Sequence, residues 1–206
     1  MHYVASTGDV SEAVGQAQGA VLKFRSEGVT NVLFTETNAW LSGAFGIEAS
    51  SQHYYPRYGY NSDEPLTNIV SNVPADELVG SMFIGWNPSQ DTTRAADLGS
   101  RGRACLAFMA HAGQPTNTGN EKSGALSICE TVDYLCAAVS AGGTAVSRAS
   151  FLAGAARIGS SYSPVATFAI RASASRHDGV AAIRDGMFNS SCKCFAYTSA
   201  PHAATS

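Results

Sequence analysis

The 206-residue sequence predicts an α/β fold built on a doubly wound parallel sheet. Three short runs rich in strand formers, Val29 to Thr35, Tyr55 to Tyr60 and Ser81 to Trp86, recur about every 25 residues. Helix-like segments separate them, as βαβ units require, and right-handed crossovers then lay such strands in parallel. Past Trp86 the alternation stops. The chain becomes mainly helical and ends on a strand-like pair, a change of style that points to segments serving different sheets.

The elements follow in order. Asp9 with Glu12 makes a capping-box-like start, and Val14, Ala17, Val21 and Phe24 continue it at steps of three and four, up to Gly28. The compact Val32-Leu33-Phe34 reads as a central strand covered on both faces. Thr37 or Asn38 can cap a second helix through Trp40, Leu41, Ala44, Phe45 and Ile47. After the strand at Tyr55, the polar Asn61-Ser62-Asp63 opens a short helix around Leu66, Ile69 and Val70. A turn from Pro74 to Leu78 leads into the third strand.

Asn87 to Arg94 is polar and reads as a loop or crossing segment. Leu106, Met109 and Ala110 suggest a short helix stopped by Gly113, and Ala125, Ile128, Val132, Leu135 and Val139 mark the clearest amphipathic helix of the chain. A further helix covers Ser147 to Ile158. Ala166 to Arg171 and Gly179 to Phe188 flank Asp178-Gly179, whose residue types suit a tight turn in an antiparallel hairpin.

Composition excludes several classes. With 45% apolar residues the chain can bury a core, and a net charge of −3 with scattered Lys and Arg offers no face for nucleic acid. Gly, Ser and Asn interrupt every apolar stretch before membrane-spanning length. The amino terminus lacks the basic start and apolar centre of a secretory signal, so a signal peptide is expected to be absent from this chain. Five cysteines, an odd number, hint at an oxidising compartment instead.

In open α/β sheets ligands gather outside the carboxyl ends of the strands. Those positions are Glu36-Thr37-Asn38 and Asn61-Ser62-Asp63, both suited to hydrogen bonding a small polar solute and equally suited to capping helices. Trp86, at the end of the third run, is a further cleft candidate; Trp40 is expected to pack a helix onto the sheet. No metal site is assigned, because the five histidines have no ligand spacing and Cys192-Lys193-Cys194 has no second Cys/His pair. No catalytic residue or cofactor is assigned either. Gly154 to Gly159 lacks phosphate-loop spacing, no Gly-x-Ser-x-Gly occurs, and His177-Asp178 has no nucleophile beside it.

The run Ala20-Val21-Leu22-Lys23-Phe24-Arg25-Ser26-Glu27-Gly28-Val29, through Val32-Leu33-Phe34 to Tyr55-Pro56-Arg57-Tyr58-Gly59, resembles the second lobe of branched-chain-amino-acid-type binding proteins of the type I periplasmic-binding-protein family. Arg176 to Asp185 and Cys192 to Thr198 resemble the tail of actinobacterial extracellular receptors of that family. The resemblance implies two α/β lobes, a small solute in the cleft, an ABC permease as partner of the full-length protein, and an extracellular or cell-envelope location. It implies a partial second-lobe unit at 1–86, a crossing segment with first-lobe helices at 87–146, and a return to the second lobe with a C-terminal hairpin at 147–206. Complete members are longer, so the amino-terminal lobe is expected to be missing and self-association is expected to follow. Relatives place an acid after the second strand to hold a ligand ammonium; here Ser62 stands there with Asp63 beside it, and Glu36 could face a cationic or hydroxylated solute. A Cys105–Cys129 disulfide is also implied, leaving Cys136 as a small core residue. The resulting expectation is a truncated extracellular solute-binding receptor of an ABC importer. A non-functional receptor fragment and an enzyme on a doubly wound fold are the alternatives.

Overall fold

A computed structural model describes residues 10–35, 39–93, 98–173, 175 and 179–204. The chain divides into two compact units: Met1–Gly85 with Gln90–Arg94 and Asp185–Ser199, and Trp86–Ser89 with Ala95–Arg184 and Ala200–Ser206.

In the first unit α1 (Val10–Ser26) is followed by β1 (Asn31–Leu33), α2 (Trp40–Ser51), β2 (Arg57–Asn61), α3 (Leu66–Asn72) and β3 (Met82–Gly85). Gly28 ends the first helix in the left-handed region, at φ 69, where a side chain would be strained. β1 pairs with β2 in parallel (Val32 opposite Tyr58), and β2 with β3 in parallel (Tyr60 opposite Phe83). The sheet continues through β4 (Ala182–Asn189) to β5 (Cys194–Tyr197), in the order β1-β2-β3-β4-β5, and the last two are antiparallel. The α/β architecture with a mostly parallel sheet is therefore as expected.

Strand side chains alternate between faces, and one face of this sheet is buried. Val32, Tyr58, Tyr60, Phe83, Phe188 and Phe195 point into the core; Leu33, Met82, Ile84 and Met187 are exposed. Consecutive strand order explains this. Each step from β1 to β3 goes the same way across the sheet, so right-handed crossovers deliver α2 and α3 to a single face. β1 is thus not the central, doubly covered strand expected: it stands at the end of the strand order, and Leu33 is 80% exposed. Trp40 also departs from expectation. The buried residues of α2 are Ser42, Gly43, Phe45, Gly46 and Ala49, and Trp40 lies on the opposite side of the helix, 59% exposed.

Aromatic rings fill the core between helices and sheet. Phe34 stacks on Tyr60 at 5.6 Å, Tyr60 meets Phe195 edge-on at 5.6 Å, and Phe195 touches both Phe83 and Phe188. Such pairs add about 0.5–1.5 kcal/mol each beyond their area burial. Gly186 makes room for them, since a Cβ there would overlap the Phe83 ring.

The second unit is helical: α4 (Gly99–His111), α5 (Gly119–Gly142) and α6 (Arg148–Ile158). Capping boxes start α5 at Thr118 and Glu121 and α6 at Ser147 and Ser150, satisfying amide groups that a helix start leaves orphaned. A Cys105–Cys129 disulfide joins α4 to α5 across a Cα separation of 6.2 Å. The Glu130 carboxylate accepts the N–H groups of Val165 and Ala166, and Arg101 pairs with Asp133 at 2.9 Å. α6 reaches the α5 backbone at Gly154, where a Cβ would overlap the Ala138 carbonyl. Ile128, Val132 and Leu135 remain about half exposed. Cys136 is an exposed free thiol rather than the core residue expected, because Arg101 near the start of α4 already pairs with Asp133 and α5 runs on past that cover.

Among the described residues α5 is long and apolar enough to cross a membrane by length and composition, although Ser and Gly break its apolar run. Among the described residues, the two runs expected to flank Asp178-Gly179 meet in an antiparallel bridge between Ile170 and Val180, with the Ala181 N–H donating to the Ala169 carbonyl at 3.0 Å and the Arg171 N–H to the Gly179 carbonyl at 2.6 Å. Arg176, His177 and Asp178 lie outside the described residues. Extended antiparallel pairing is made instead by β4 with β5, and by β6 (His202–Ala203) with the start of β4.

Candidate functional site

Because β1, β2 and β3 are parallel, their carboxyl ends lie along one edge of the sheet. Phe34 and Thr35 follow β1, Asn61 to Glu64 leave β2, and Gly85 ends β3. Glu36, Thr37 and Asn38, expected at this edge, lie outside the described residues. α2 begins at Trp40 with Ala39 as its N-cap residue, in the left-handed region and without a side-chain cap.

The loop after β2 is held in place by its own side chains. Asn61 Oδ1 accepts the Asp63 N–H at 2.7 Å, and Asn61 Nδ2 donates to the Phe34 carbonyl at 3.4 Å, tying the loop to the end of the neighbouring strand. The Glu64 N–H closes the turn on the Asn61 carbonyl at 3.2 Å. Gln90 clamps it from the other side: Nε2 donates to the Ser62 carbonyl at 2.9 Å, and Oε1 accepts the Leu66 N–H at 3.1 Å. Ser62 and Glu64 are buried and Asp63 is exposed. The arrangement leaves the Asp63 carboxylate exposed on a loop tied down on both sides, between the buried Ser62 and Glu64. An exposed carboxylate accepts hydrogen bonds from ammonium or hydroxyl groups.

Among the residues singled out from sequence, the structure brings Asn61, Ser62 and Asp63 together. Trp86 is half-buried in the second unit, where its carbonyl accepts the Phe168 N–H at 3.0 Å. Gln90 and Glu64 were not anticipated. Glu64 stands beside Asp63 and could have been noticed as a second acid. Nothing local distinguishes Gln90, which acts on a loop 28 residues away.

A second buried acid lies elsewhere in this unit. Glu77, in the turn before β3, is 1% exposed and accepts the Tyr58 hydroxyl. Burial pushes its carboxyl up to about 7, against the opposing pull of the Tyr58 hydrogen bond, and burial beside this acid raises the Tyr58 hydroxyl too. An open cavity of about 300 Å³, lined by Thr30, Asn31, Tyr55 and Arg57, sits at the amino ends of β1 and β2, the edge opposite the candidate site. Among the described residues no three His, Cys, Asp or Glu side chains gather at metal-binding distance.

No protein-family model matches this sequence, and no curated protein matches it. Solved structures do. A branched-chain amino acid ABC transporter protein from Thermus thermophilus with bound valine superposes with a TM-score of 0.70 at 14% identity, over 91% of this chain and 50% of that one. A possible leucine/isoleucine/valine-binding protein from Rhodopirellula baltica gives 0.60 at 12% identity, over 82% and 42%. An extracellular ligand-binding receptor from Rhodopseudomonas palustris gives 0.55 at 7% identity, over 88% and 51%. The chain has the type I periplasmic-binding fold in part, and spans about half the length of the solved structures it matches.

Proposed function

We propose that this chain forms part of an extracellular solute-binding receptor of an ABC importer and supplies one wall of the site for a small polar solute. The observation that carries the reading is the clamped loop from Asn61 to Glu64 at the carboxyl edge of a parallel sheet. Reversible capture needs donors and acceptors held ready without covalent chemistry, and this loop is fixed by Asn61 and Gln90 before any solute arrives. Asp63 and the Ser62 hydroxyl favour a solute bearing an ammonium or several hydroxyl groups. Glu36, Thr37, Asn38 and Trp86 complete the proposed contact set.

The same reading makes the chain a partial receptor, to be completed by an amino-terminal lobe, and divides it at 1–86, 87–146 and 147–206. The open sheet face bearing Leu33, Met82, Ile84 and Met187 supports this, because parallel sheets are ordinarily covered on both faces. Alone, the chain should bind solute poorly and self-associate; with the completing half supplied, it should bind tightly and stay monomeric.

Calorimetric titration of the completed receptor with a panel of small polar metabolites tests the reading. Heat without product is expected, and Ser62→Ala and Asp63→Asn should each weaken binding by about 1 kcal/mol or more with little change in melting temperature. Unchanged affinity in both variants would refute the site. Turnover of any panel member would favour an enzyme instead.

A further inference from the structure

We infer that the Cys192–Cys194 disulfide is a thiol–disulfide exchange site, open to external dithiols while the rest of the fold stays intact. The two cysteines close the turn between β4 and β5 and are only two residues apart, with Cα atoms separated by 5.2 Å. Three features distinguish this bridge from Cys105–Cys129. Cys192 is exposed, so that end of the bridge can be approached although Cys194 is buried, whereas Cys105 is buried in the helical core and Cys129 is part-buried, so neither end of that bridge lies on an exposed residue. Lys193, caught between the two sulfurs, takes a left-handed backbone at φ 50, unusual for a residue with a side chain and imposed where the ring must close. Reduction would let it relax. The exposed Lys193 also puts a positive charge one residue from each cysteine, which favours whichever sulfur leaves as thiolate.

The exchange balances with a dithiol as the reductant. One thiolate of the dithiol attacks Cys192 Sγ, the bond to Cys194 breaks, and its electron pair leaves on Cys194 Sγ, which takes a proton from solvent. The second dithiol sulfur, having lost its proton, then attacks the mixed disulfide and expels Cys192 as thiolate. The protein gains two electrons and the dithiol is oxidised to a disulfide.

The fold has reason to survive this. β5 is held independently of the bridge: the Phe195 N–H donates to Thr92 Oγ1 at 2.8 Å, the Thr92 N–H donates to the Phe195 carbonyl at 2.9 Å, and the Phe195 ring is fully buried. Cys194 pairs opposite Asn189 in a ladder of four residue pairs that needs no sulfur.

The test is a titration of the intact, oxidised protein with dithiothreitol at neutral pH, followed by alkylation and mass mapping, with far-UV circular dichroism recorded alongside. The exposed free thiol of Cys136 should label without reductant and serves as internal reference. Cys192 and Cys194 should label at about ten-fold less dithiothreitol than Cys105 and Cys129, with an unchanged spectrum, and Lys193→Gln should slow their reduction several-fold. Simultaneous opening of both bridges, prior opening of Cys105–Cys129, loss of helical signal in step with Cys192 labelling, or free thiols at 192 and 194 in protein equilibrated with oxidised glutathione would each overturn the inference. A Lys193→Gln rate equal to that of the parent would remove the electrostatic part of it.

Discussion

In the first unit a continuous set of aromatic rings, from Phe34 through Tyr60 to Phe195, fills the space between the sheet and its helices. The cluster of buried residues in the helical unit is far smaller: Cys105, Leu126, Val165 and Ala166. The difference follows from what a sheet offers. Neighbouring strands bring every second side chain into register on one face, so large rings stack and exclude water efficiently. Three helices packed mainly on one another have less shared surface to hide, and this unit relies on fixed links: the Cys105–Cys129 bridge, the Glu130 bracket on Val165 and Ala166, and the close approach at Gly154. Several of its apolar residues, Ile128, Val132 and Leu135 among them, stay about half exposed.

The largest expected effect tests the sheet core. Phe195→Ala should destabilise the first unit by about 3–5 kcal/mol, read as a shift in the urea midpoint, whereas Leu126→Ala should cost the helical unit about 2–3 kcal/mol. Equal losses would mean that the two cores are equally demanding. Next comes the link itself. The Cys105–Cys129 bridge closes a loop with a sequence separation of 24, and Cys105→Ala with Cys129→Ala should lower stability by about 3 kcal/mol. Near-native stability would show that helix packing suffices in the second unit.

Glu77 provides a pH-dependent test confined to the first unit. Its carboxyl titrates near 7 in the fold against 4.5 when free, so the folded state holds more protons between those values. The associated stability is fully present below about pH 4.5, is lost as pH rises through 7, and amounts to about 3 kcal/mol. Glu77→Gln should flatten this part of the stability profile and leave the variant the more stable protein above pH 7. A profile of unchanged slope would rule out Glu77 as its source. The smallest effect belongs to the helical unit: Thr118→Ala removes the cap of α5 and should cost about 1 kcal/mol, seen as a modest drop in melting temperature and increased exchange of the first-turn amides.

Much of the fold was legible because local patterns carry it. Apolar residues at steps of three and four located α1 and α5, and compact runs rich in strand formers located β1, β2 and β3 to within a few residues. The runs flanking Asp178-Gly179 do meet antiparallel at Ile170 and Val180, but the longer antiparallel ladder lies elsewhere, between β4 and β5. A turn-forming dipeptide records what a turn could be made of, while extended pairing also needs two strands with matched faces, and Ser190 to Lys193 joins such strands without any Asp-Gly signal. At the candidate site, Asn61, Ser62 and Asp63 followed from the rule that ligands gather at the carboxyl ends of parallel strands. Gln90 could not, because a glutamine in a polar loop looks like any other.

The sequence by itself determined the kinds of element and their order, since a helix or strand face is written in residues a few positions apart. The tertiary structure decided which side of the sheet is covered, where β1 stands, and whether Trp40 and Cys136 are hidden. It also decided the long-range ties, such as Thr92 to Phe195 across 103 residues and Gln90 to Ser62 across 28. These depend on how strands are ordered and which way each crossover turns. Amphipathic periodicity records that a face wants cover and says nothing about which distant segment arrives to provide it.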